Sequence, residues 1–150
     1  MRGMTRASAI VAAVIVASPF LLAAQGATVS STTLPSRIYE WAALAPVQIP
    51  NGERRQVLDG ATPTVDNLHV HVTSLAPGKT SGEPTRHVRD EVLIVKEGEV
   101  EVHLDGTTQT VGAGAILYFA SGAVTRLRNA GSGPATYYVV NYATPKTPKS

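Results

Sequence analysis

The chain has no cysteine. That excludes disulfides, thiolate chemistry and the lipid anchor of a bacterial lipoprotein, which needs a cysteine after its signal. An excess of either charge is also lacking. The 150 residues include 13 Lys and Arg against 11 Asp and Glu. Two of the basic residues, Arg2 and Arg6, stand at the N-terminus ahead of an apolar run; setting them aside leaves 11 of each sign. The pI of about 9.1 therefore says nothing about nucleic acid, and no basic stripe is left to track phosphates. No long stretch repeats its apolar residues every 3.6 positions, and no segment recurs at a fixed period.

What is present begins with "MRGMTRASAIVAAVIVASPFLLAAQGA". Arg2 and Arg6 precede the apolar run from Ala7 to Ala24, and Ala23, Ala24 and Ala27 supply small residues for cleavage. This is the layout of a secretory signal peptide over 1–27, cut after Ala24 or Ala27, and it predicts a secreted or periplasmic protein. Contact with a membrane is expected only if the signal stays uncleaved. Residues 28–60 are expected to form an N-terminal arm and the first strands, 61–144 a barrel, and 145–150 a Pro/Lys-rich disordered tail.

The body is a series of short strand-like runs punctuated by Gly, Pro and Asp. In "EVEVHLDGTTQTV", Val100, Val102 and Leu104 alternate with Glu99, Glu101 and His103, and Asp105-Gly106 supplies the positive-φ pair of a tight hairpin. "NLHVHVTSL", "EVLIVK", "AILYF", "AVTRLRN" and "ATYYVVNYA" read as further strands. "YEWAAL" is compatible with one helical turn or a strand. Strands at this spacing indicate an all-β sandwich or barrel, and closure removes exposed edges.

Two segments carry a resemblance. Gly78 is followed by Thr85, His87, Glu91 and Gly98; Gly114 is followed by Ala120, Gly122, Thr125 and Asn129. Their order and spacing resemble the two motifs of the cupin superfamily, over residues 78–129. The resemblance implies a single cupin-like β-barrel, a double-stranded antiparallel jelly roll. It also implies a place for a metal: cupins that hold iron, manganese, nickel or zinc use three His and one Glu. Here His87 and Glu91 stand at two of those positions, and Thr85 and Thr125 replace two histidines.

A neutral hydroxyl is a weak donor to a transition metal beside imidazole or carboxylate. The expectation is a degenerate site with no firm cofactor, or a loosely bound divalent metal (Fe, Mn, Ni or Zn). Thr85, His87, Glu91 and Thr125 are the expected pocket for a small polar ligand. His87 and Glu91 are also candidate catalytic residues, as an acid–base pair, and equally candidates for a structural hydrogen bond. His69 and His71 lie two apart and share a face with Leu75. If Leu75 points inward, either histidine approaches His87 as a replacement ligand; if not, both are solvated. The expectation is that neither completes a metal centre. Arg86, Arg126 and Arg128 are expected to face outward, as is His103. Tyr137, Tyr138 and Tyr142 are read as core or interface residues. Family analogy also implies a homodimer through sheet edges and N-terminal strands. Enzyme alternatives are a metal-dependent dioxygenase, lyase or isomerase, or a metal-free acid–base catalyst.

Overall fold

A computed structural model describes residues 33–149. Residues 1–32, which include the segment read as a signal peptide, and residue 150 lie outside them. The described chain is almost wholly β. A 3-10 turn at Trp41–Ala43 precedes ten strands: β1 (Val47–Ile49), β2 (Gly52–Gly60), β3 (Asn67–Leu75), β4 (Thr85–Arg86), β5 (Glu91–Glu97), β6 (Glu99–Leu104), β7 (Thr107–Gly112), β8 (Ile116–Phe119), β9 (Val124–Asn129) and β10 (Ala135–Ala143). One sheet has the order β1-β2-β3-β10-β5-β8 and the other β4-β9-β6-β7; the pairings are antiparallel. Strand spacing indicates an all-β sandwich or barrel, and the architecture is the two-sheet jelly roll that the resemblance implies. The sheet begins at Val47, ahead of the expected barrel boundary at 61, because β2 pairs along its length with β3.

Alternation decides what faces inward. On β9, Thr125, Leu127 and Asn129 are 4%, 5% and 0% exposed, whereas Arg126 and Arg128 lie outside. On β6, Val100 and Val102 are buried and Glu101 faces out to grip Arg128 through two hydrogen bonds of 2.9 and 3.0 Å. These inner rows meet Leu75, Leu93, Val95, Phe119 and Val139 from the larger sheet, forming one apolar core toward one end of the barrel.

Turn chemistry matches the backbone where it must. Asp105 and Gly106 take φ of 46° and 86° between β6 and β7, as a two-residue hairpin of this kind requires. Gly98 has φ of 80°, and a Cβ there would sit 2.5 Å from the Pro134 carbonyl oxygen. Only glycine fits this β5–β6 corner. The segment left open as helix or strand forms the 3-10 turn, and the Trp41 ring packs under the Lys96 ammonium at 3.6 Å and the Arg55 guanidinium at 4.7 Å. The tail expected to lack structure starts in a turn closed by Thr147 N–H on the Thr144 carbonyl at 2.9 Å.

Candidate functional site

The opposite end of the barrel is polar. Leu75 is fully buried, so its face of β3 is the inner one, and His69 and His71 lie on that face. Register then sets the neighbours. His69 lies beside Asn141 of β10, which pairs with Glu91 of β5; one rung deeper, His71 lies beside Val139 and Leu93. Thr85 of β4 is directly opposite Thr125 of β9.

These elements enclose a cavity of about 270 Å³, lined among others by Arg54, His71, Thr85, His87, Glu91 and Thr125. An open cleft of about 490 Å³ adjoins it, lined by Asp59, Asn67, His69, Arg89 and Asn141, and the two share His87 and Glu91. All four residues expected to form the pocket therefore line one cavity. They differ in setting. Thr125 is buried, whereas Thr85 is exposed at the mouth with its hydroxyl donating to the Glu83 carbonyl at 2.9 Å.

His87 and Glu91 do not form a hydrogen-bonded pair among the described residues. Glu91 Oε1 instead accepts from Asn141 Nδ2 at 3.1 Å. Asn141 Oδ1 accepts from Arg89 at 3.2 Å, Arg89 also donates to Asn67 Oδ1 at 2.6 Å, and Asn67 Nδ2 donates to Asp59 at 2.8 Å. Asp59 in turn lies 3.2 Å from His69 Nδ1. His69 Nε2 is 2.9 Å from Arg54 Nη2 and 3.0 Å from His71 Nδ1. A continuous polar network thus runs from Glu91 to His71 around the barrel mouth.

The donors in this network fix the protons. A guanidinium only donates, so His69 Nε2 accepts and the ring proton sits on Nδ1, facing Asp59. With His69 Nε2 unprotonated, the 3.0 Å contact is a hydrogen bond only when His71 Nδ1 carries the proton, and Arg54 and His71 then share the single Nε2 lone pair. In that tautomer the remaining nitrogen of His71, Nε2, keeps its lone pair; no protein hydrogen bond reaches it among the described residues, and it is not a buried orphan but open to the cavity. Arg54, Asp59, Arg89 and Asn141 went unrecognised in the sequence; nothing in their local spacing marks them, since only cross-strand register brings them to the histidines.

Burial pushes the His71 ring down to about 3, and the nearby Arg54 charge acts in the same direction. The unfolded chain takes up a proton below about 6.5 while the folded ring stays neutral. The contribution is fully present above that pH and is lost as pH falls toward 3. We expect His71→Gln to lessen the loss of stability between pH 6.5 and 4 by roughly 2 kcal/mol, a figure reduced from full linkage because the ring keeps some contact with water. Urea unfolding at both pH values measures this; equal acid sensitivity in the variant would mean that the ring is not held neutral. Tyr137, beneath the cavity, has its hydroxyl pushed up by burial, partly offset by its hydrogen bond with Thr73.

The donor set does not fit a transition metal. His71 and His69 direct ring nitrogens at each other, Glu91 is engaged by Asn141, and hydroxyls occupy the two threonine positions. Among the described residues no group of three or more His, Cys, Asp or Glu side chains is arranged to hold an ion.

Residues 71–141 match the family described as Cupin domain. Several solved structures share the fold. An RmlC-like cupin from Shewanella frigidimarina superposes with a TM-score of 0.59 at 14% identity, over 75% of this chain and 95% of its own. KdgF from a Halomonas species gives 0.61 at 16%, over 71% and 94%. The polyketide cyclase RemF from Streptomyces resistomycificus gives 0.59 at 17%, over 73% and 80%. No match is found among curated proteins.

Proposed function

Since residues 71–141 match the cupin domain family, we propose that the chain is an exported cupin protein that binds a small, hydroxylated polar molecule in its barrel. Cupins often hold metals; this one holds any divalent metal loosely. The observation that carries the reading is the cavity of about 270 Å³ in which Thr85, Thr125, His71, His87 and Glu91 offer hydrogen-bonding groups around one space. Mixed donors and acceptors on rigid strands suit a polar ligand. Export is supported by the charged, apolar and small-residue order of the first 27 residues.

The enzyme reading has one observation in its favour: His87 and Glu91 stand where the cavity meets the open cleft, within reach of anything bound in either. A metal-free acid–base step on a bound carbon acid is the form compatible with this donor set. A metal-dependent dioxygenase, lyase or isomerase is disfavoured by the two threonines.

The test is made on protein recovered from the periplasm and purified without a metal column. Elemental analysis should find metal far below one ion per chain, and denaturing extraction should release a polar small molecule. Its intact mass should report loss of the first 24 or 27 residues. A tightly held transition metal at close to one per chain would overturn the reading.

A further inference from the structure

Arg54 comes from β2 and lines the cavity on the inner side of the larger sheet. Its neighbour Arg55 is paired with Glu53 at 3.1 Å, but Arg54 is not. Among the described residues Arg54 has no carboxylate within ion-pair range, and its recorded hydrogen bond is to neutral His69. A half-buried guanidinium whose one hydrogen bond ends on an imidazole nitrogen has no ion-pair partner there and keeps donors to spare. The acceptors lie elsewhere on the same wall. His71 Nε2 has an open lone pair, and its ring hangs on the same His69 nitrogen that receives Arg54. Glu91 offers its second carboxylate oxygen across the rung. Glu83 also borders the cavity, but it is exposed at the mouth and screened by solvent.

We propose that the barrel's ligand is a small hydroxy-carboxylate, its carboxylate held by Arg54 and its hydroxyls donating to His71 Nε2 and Glu91. This rests on the lumen-binding reading above and specifies the charge of the ligand. Arg54 and carboxylate match in charge and in forked geometry. Hydroxyl hydrogens fit the two acceptors, which a second carboxylate would repel. The Asp59–His69 contact acts through its neighbours: it holds the His69 proton on Nδ1, so that Nε2 receives both Arg54 and His71. Asp59 and His69 are positioning residues.

The experiment titrates the full mature protein with lactate, glycerate and gluconate, and separately with propane-1,2-diol and sorbitol, by calorimetry and ligand-observed NMR. At least one acid should bind with Kd of about 1 mM or tighter, and the polyols at least about 10-fold more weakly. Arg54→Met should weaken acid binding by about 10-fold or more, and Arg54→Lys by less. His71→Gln should weaken acids and polyols alike, because its Nε2 receives a hydroxyl and not the carboxylate; only the Arg54 changes should separate the two classes. Thermal unfolding of each variant verifies that it is folded, and Arg54→Lys keeps the test usable if Arg54→Met is not. Ring-nitrogen NMR should place the His69 proton on Nδ1, and Asp59→Asn should reduce that preference together with acid affinity. Polyols binding as well as the acids, with Arg54→Met without effect, would overturn the charge assignment and leave lumen binding standing. Binding of neither class would overturn the assignment too, while the molecule extracted from purified protein decides the broader reading.

Discussion

Replacing Thr85 and Thr125 together with histidine should raise affinity for zinc or nickel by at least about 100-fold over the wild type. The two positions face each other across the β4–β9 pair, and both line the cavity with His87 and Glu91. The double variant would place three imidazoles and one carboxylate around that space, where the natural chain places one of those imidazoles and two neutral hydroxyls. The cavity can receive the added rings, and Glu91 need only exchange its Asn141 contact for the ion. Either single variant should give a smaller gain, since each adds one ligand. Adding His87→Ala to the double variant should remove most of the gain. Calorimetric titration, together with the metal-dependent rise in unfolding temperature, measures the effect. A folded double variant that binds metal no better than the natural protein would show that these two threonines do not occupy ligand positions.

The same pair of threonines marks how far the sequence could be read. Short β-branched and apolar runs bounded by turn residues located β3, β5, β8, β9 and β10 closely, and alternation located β6; β9 buries one face, whereas β3 and β10 bury consecutive residues in places. Alternation also placed Arg126 and Arg128 outside once Thr125 was inside. β2 is expected only as one of the unbounded first strands within 28–60, for a physical reason. "GERRQVLDG" carries four charged residues in nine, and a register shift between Gln56 and Leu58 breaks its alternation. Arg54 and Asp59 were therefore invisible as site residues, although they flank the histidine pair in space. The fate of His69 and His71 turned on which way one strand faces, and the buried Leu75 settles it. Their mutual hydrogen bond could not be foreseen from spacing, since residues two apart on a strand can equally point at a common third group. Glu91 illustrates the reverse error. Motif spacing couples it to His87, whereas register places Asn141 directly beside it.

Asn129 sits at the motif's end and supports the fold, which gives it the largest expected stability effect of any single polar residue named above. Its side chain is 0% exposed. Nδ2 donates to the carbonyls of Leu75 and Gly133, both at 2.8 Å, and Oδ1 accepts from the Gly131 amide at 2.9 Å. One amide thus ties the end of β3 to the loop between β9 and β10. Asn129→Ala would leave these backbone groups without partners in a buried position, so we expect a loss of roughly 3 kcal/mol in urea unfolding. Asn129→Asp is the sharper probe, because it preserves shape. Its carboxylate can still accept from Gly131 but cannot donate to either carbonyl, and it sets negative charge against both. It should cost at least as much as the alanine change near neutral pH, and less in acid, where a protonated side chain regains one donor. A loss of less than about 1 kcal/mol in both variants would mean that water replaces these bonds and that the loop is held by the surrounding apolar contacts alone.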